Sequence, residues 1–232
     1  MISSESGFPA PRVPAGEIGA RPESNLAYRW MKAILYGALI LAVAEYAALR
    51  FRDTLGIGEH GSMMIEVVLS VGWFAIAAAL TGSVLRRKLP RFSQRWWVVL
   101  HAAWGLACAI FYLSLPGWDN TVLNRITIGP INLGLVFFIV VGAAYGALLG
   151  SLQAIVLRTA ARRVGMWVGL SVLAGSALLW TVSESTYGLQ SGYSELFQVT
   201  MTLIADIVYG AILLPAVQRL QPLEAPGALS AA

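Results

Sequence analysis

The sequence predicts an all-α fold, a polytopic membrane bundle of six transmembrane helices with an internal repeat of parallel hairpins. Three observations carry this. Of the 232 residues, 57% are apolar and only 12% are charged, about half the charge of a soluble domain. The mean hydropathy is +0.69. The charges fall in clusters between long apolar runs, which is the pattern of membrane spans and not of one large soluble core.

A hydrocarbon layer of about 30 Å takes about 20 helical residues at about 1.5 Å each. Six stretches qualify: 31–49, 63–85, 96–115, 131–157, 166–187 and 196–217. The fourth is long enough to require tilt or an extension beyond the bilayer. These runs are apolar all round and lack the period-two alternation of a barrel strand. Helix is then the only way to pair every backbone group in lipid. Residues 1–27 carry Pro9, Pro11, Pro14 and Pro22 and read as a disordered cytoplasmic tail, not a cleaved signal peptide. Residues 221–232 read as a second loose cytoplasmic tail, leaving 28–220 as the transmembrane domain.

Orientation follows from the 16 Lys and Arg residues. With the N-terminus inside, thirteen lie on the cytoplasmic side, among them Arg29, Lys32, Arg86, Arg87, Lys88, Arg91, Arg95, Arg158, Arg162, Arg163 and Arg219. Only Arg50, Arg52 and Arg125 lie outside. This obeys the positive-inside rule and places both termini in the cytoplasm of a cell with an inner membrane. Trp30, Trp96, Trp97, Trp118 and Trp167 sit near the span ends, where indole favours the interface.

The second and third spans resemble the fourth and fifth. Gly82-Ser83-Val84-Leu85-Arg86 is echoed by Gly150-Ser151 with Val156-Leu157-Arg158. After a basic loop, Trp97-Val98 with Gly105 matches Trp167-Val168 with Gly175. Both hairpins run in the same sense, so an axis along the membrane normal would relate them. Tyr209-Gly210-Ala211 matches Tyr145-Gly146-Ala147 and would open a third, truncated unit; the similar Tyr36-Gly37-Ala38 runs the opposite way and is discounted. Over residues 67–180 this hairpin resembles repeats in uncharacterised multispanning bacterial inner-membrane proteins. The resemblance implies a fold and no activity.

Polar residues within spans are the candidate functional positions. Asp206 lies mid-span, where a carboxylate costs about 2.5–3.5 kcal/mol on insertion scales. It either carries function or acts as hydrogen-bonded glue beside Tyr, Ser or Thr. Glu45, Glu66 and Glu184 fall at similar depth toward the outer side, where they would line a cavity ending at Asp206 or simply reach water. Gly142, Gly146 and Gly150 share one helix face, continued by Gln153, and read as a helix-packing stripe within the chain or between protomers. His101 is expected to pack or hydrogen-bond within the bundle.

Other signals are set aside. Gly56-Ile57-Gly58-Glu59-His60-Gly61 fits a dinucleotide-loop pattern but follows a span and lacks the strand that the mechanism needs. His60 and His101 fall on opposite sides and cannot share one metal or haem. The single Cys108 excludes a disulfide within the chain. No metal or other cofactor and no nucleic-acid partner is expected, the net charge of +4 being what cytoplasmic helix ends require. The first functional expectation is a non-catalytic accessory or assembly subunit, with the lipid bilayer, other membrane helices or a second copy as partners. The alternative is a small proton- or cation-linked carrier or channel using the carboxylates. A membrane-embedded lipid-acting enzyme comes third.

Overall fold

The computed structural model describes residues 22–54, 59–114, 127–128, 131–190 and 195–223. Six helices are found among them: α1 (Pro22–Thr54), α2 (Glu59–Lys88), α3 (Gln94–Ser114), α4 (Leu133–Arg158), α5 (Gly165–Gln190) and α6 (Glu195–Arg219). Four contain stretches long and apolar enough to cross a membrane: Asn25–Ala48, Val67–Lys88, Val136–Arg158 and Val199–Arg219. The chain is therefore a multi-pass membrane protein. Of the other two helices, α5 contributes a shorter apolar stretch, Gly165–Thr181, and α3 is diluted by Gln94, Arg95 and His101.

The sequence explains where these helices start and stop. Pro22 opens α1, where its fixed φ suits the first turn and its missing N–H costs nothing. This start precedes the expected domain boundary at 28. α2 ends on Arg86, Arg87 and Lys88, cations favoured by the negative end of the helix dipole, and Pro90 prevents its continuation. Ser93 then caps α3, its hydroxyl accepting the Trp96 N–H at 3.5 Å. α6 contains Pro215 in its C-terminal half, where the missing N–H leaves the Ala211 carbonyl without its helical donor.

Each helix packs on its neighbours in sequence, and α6 closes on α1, so the six form a ring. The tightest pairs are α4 on α5, α2 on α3, and α5 on α6, whereas α3 meets α4 only lightly. The hydrophobic core is concentrated at the end that holds the basic turns. It includes Leu85, Leu89 and Phe92 around the first turn, Leu157, Ala160, Ala161 and Val164 around the second, and Val217 and Leu220 at the end of α6. That end is fastened twice. Lys88 Nζ donates to the carbonyls of Val217 and Gln218 at 2.8 and 2.6 Å, capping α6. A short strand β3 (Ala161–Arg162) pairs antiparallel with β4 (Gln221–Pro222), where the sequence suggested loose tail. Elsewhere β1 (Thr127–Ile128) and β2 (Ile131–Asn132) form a two-residue ladder ahead of α4.

The outer surface is apolar, as lipid requires. Val43, Val68, Val140, Leu148, Ile155 and Leu173 are all well exposed along their helices.

Candidate functional site

A cavity of about 80 Å³ lies inside the ring and is lined from all six helices. One ordered water needs only about 10–15 Å³ on this measure, so the space holds more than a packing defect. Three tryptophans bound it toward the core: Trp30 of α1, Trp97 of α3 and Trp167 of α5, each 1% exposed. Trp167 packs edge-on against both others, with ring centroids 6.2 Å from Trp30 and 5.8 Å from Trp97. The sequence suggested that these indoles would sit at the membrane interface. They instead turn inward, because each N–H finds a partner within the ring; Trp96, next in sequence to Trp97, is the one that faces out.

Those partners are specific. The Trp167 indole N–H donates to Gln153 Oε1 at 2.8 Å. An indole nitrogen is only a donor, so the Gln153 amide is oriented with its oxygen there, and Nε2 faces His101 Nε2 at 2.7 Å. Nε2 of Gln153 must donate, so His101 Nε2 accepts. Nδ1 therefore carries the imidazole proton and donates to the Trp97 carbonyl at 2.7 Å. His101 is thus held as one neutral tautomer with both nitrogens used. The Trp97 N–H points to Thr81 Oγ1 at 3.4 Å, and Thr81 in turn donates to the Ala77 carbonyl at 2.7 Å. The Trp30 N–H donates to the Gly210 carbonyl at 2.9 Å.

The glycine stripe of α4 is consumed inside the chain. A Cβ on Gly142 would strike the Gly175 carbonyl, one on Gly146 the Ser171 carbonyl, and one on Gly150 the Ser171 side chain at 2.5 Å. All three contacts lie on α5. No side chain fits between these backbones, which is how small-residue stripes bring membrane helices together.

Asp206 lines the cavity from α6 and is 8% exposed. Its Oδ2 has no hydrogen-bond partner, and neither has the hydroxyl of Tyr209 on the same face one turn away. The two groups interact electrostatically with one another, and Gln153 also acts on Tyr209. Glu45 of α1 is half-buried and interacts with Asp206 across the α1–α6 contact. The structure therefore brings together Asp206, Glu45, Gln153 and His101. It does not place Glu66 or Glu184 with them, because those two side chains, like that of His60, lie outside the described residues. Among the described residues, no group of three or more His, Cys, Asp or Glu could hold a metal ion.

Sequence reasoning missed the inward tryptophans and the cavity tyrosine Tyr145. A signal for the tryptophans existed. Trp97 and Trp167 stand at the same distance before a glycine, Gly105 and Gly175, and a residue serving only the interface needs no fixed spacing.

No family model matches the chain, and no curated protein or solved structure matches it either.

Proposed function

We propose that this protein is a six-span carrier or channel of a bacterial inner membrane, with both termini cytoplasmic, that passes a proton or a small cation by way of Asp206. The observation that carries this reading is the free Oδ2 of a buried carboxyl facing a cavity shared by all six helices. A carboxyl serving only as glue would have its oxygens paired, because an unmet buried acceptor costs about 1–3 kcal/mol. An accessory subunit docking through its glycine stripe is disfavoured, since α5 already fills that stripe. The thirteen-to-three division of basic residues supports the orientation.

The repeat belongs to this reading, and equivalent contacts support it. Thr81 and Gln153 each stand four residues before a fully buried leucine, and each meets the indole of its own hairpin. His101 and Ser171, each four residues after that tryptophan, bond back to its carbonyl. A third hairpin is formed by α6 with α1. Val217 is buried as Leu85 and Leu157 are, and Trp30 supplies the indole. The position matching Thr81 and Gln153 is Leu213, which cannot accept, so Trp30 turns to the Gly210 carbonyl instead. A ring of three hairpins around one axis places its cavity on that axis, as a conduit requires.

Purified full-length protein in liposomes containing a pH-sensitive dye tests the function. Under an imposed potential, the wild type should pass protons, or sodium in a parallel assay, faster than empty liposomes do. Asp206→Asn should reduce this to background, while Tyr36→Phe on the lipid side should not. Wild-type flux at background for both ions, or full flux through Asp206→Asn, overturns the reading. Single cysteines at positions 91 and 120, introduced with Cys108→Ala, should react with an impermeant maleimide from opposite sides of the membrane.

A further inference from the structure

We propose that the central cavity binds a small organic ammonium ion, its charge on Asp206 and its apolar substituents against the aromatic wall. This deepens the reading above and rests on it for the identity of the site. Three features select that chemistry.

The first is charge. Asp206 puts a carboxyl on the cavity wall, and Glu45 of α1 interacts with it electrostatically; no Lys or Arg is among the described lining residues. His101 does not supply the missing cation, because its two nitrogens are committed to Trp97 and Gln153 in the neutral tautomer. An anion would meet carboxyls with no compensating group. A neutral apolar guest would leave Oδ2 of Asp206 as unsatisfied as it is now.

The second is the scarcity of oxygen ligands. A hard metal cation takes six or more oxygens. Besides Asp206 and the two tyrosine hydroxyls the wall offers Thr81, whose hydroxyl is already spent on Ala77 and Trp97, and Gln153, whose Oε1 is held by Trp167. Stripping water from such an ion without replacing its ligands costs more than desolvating an organic ammonium ion, whose substituents are already apolar.

The third is the wall itself. Trp73 and Phe74 of α2, Tyr145 of α4 and Tyr209 of α6 line the cavity together with the three edge-packed tryptophans. Aromatic faces attract a cation while tolerating its methyl or methylene groups, an arrangement that suits alkylammonium and not a hydrated ion. The Tyr209 hydroxyl, which interacts with Asp206, can accept an ammonium N–H where the ligand has one.

The tryptophans also supply the readout. Full-length protein in detergent is titrated with tetramethylammonium, with sodium at equal ionic strength, and with tert-butanol as the neutral compound of similar shape. Tetramethylammonium should produce a saturable change in tryptophan emission, and the other two should not. Asp206→Asn should weaken binding about tenfold or more, as expected for loss of a charged partner. Trp73→Leu should weaken it about fivefold through the lost cation–π contact. If Asp206→Asn does not purify as a folded, monodisperse species, Trp73→Leu decides alone. Equal responses to tetramethylammonium and tert-butanol, no saturable response in the wild type, or unchanged binding in the variants would overturn the proposal. Asp206-dependent proton flux without ammonium binding would remove this inference and leave the carrier. Ammonium binding without ion flux would do the reverse.

Discussion

Gln153 of α4 and His101 of α3 are joined at 2.7 Å across the lightest contact in the helix ring, with the imidazole as acceptor. One carboxamide thereby ties α3, α4 and α5 together, since its oxygen is held by Trp167 of α5. Gln153→Leu removes both bonds and leaves a buried indole N–H and a buried imidazole nitrogen unpaired. It should lower unfolding free energy by about 2–4 kcal/mol, from about 1–3 kcal/mol for each orphaned group with partial relaxation. Thermal unfolding in detergent measures this. The double variant with His101→Leu should lose less than the sum of the two single losses, because both changes break the same bond. Strict additivity would show that the two side chains do not interact.

Glycine positions separate backbone contact from mere smallness. At Gly146 an added methyl would meet the Ser171 carbonyl on α5, whereas at Gly72 nothing lies within 4 Å. Gly146→Ala should destabilise by about 1–3 kcal/mol, the usual cost of overpacking, or prevent folding altogether. Gly72→Ala should be neutral or stabilising by up to about 1 kcal/mol, because alanine loses less backbone entropy in a helix. Equal melting temperatures for the two variants would mean that α4 and α5 do not approach closely here.

The membrane character and the helical fold were legible because bilayer thickness leaves a length signal that no packing detail can erase. The stripe of Gly142, Gly146 and Gly150 was equally legible as a packing face, since spacing by four fixes the face. Which helix it packs on was not, because partner choice depends on where α5 presents Gly175 and Ser171. The tryptophans were misread for a related reason. An indole near a span end lowers its free energy at the interface unless its N–H finds a buried acceptor, and those acceptors lie 14 residues away for Trp167 and 180 for Trp30. Trp30 shows the limit most clearly. Its indole bonds to Gly210 of α6, so no local window of sequence contains both partners. Asp206 was singled out from cost alone, whereas Tyr145, on the same cavity wall, carries no charge and left no comparable mark.

The three tryptophans differ in what each would leave behind, and this yields an ordered prediction. Trp167→Phe keeps an aromatic ring but strips the indole donor from Gln153 Oε1, a buried side-chain acceptor. Trp97→Phe strips it from Thr81 Oγ1, which still donates to Ala77. Trp30→Phe strips it from the Gly210 carbonyl, a backbone acceptor within α6 that the helix itself also serves. The first should cost about 1–3 kcal/mol and the other two under about 1 kcal/mol each, apart from a common loss of ring area. Chemical unfolding of the three variants in one detergent gives the ranking, and the shared area term cancels on comparison. If Trp30→Phe proved the most damaging, the α6–α1 contact and not the Gln153 network would be what holds the ring closed.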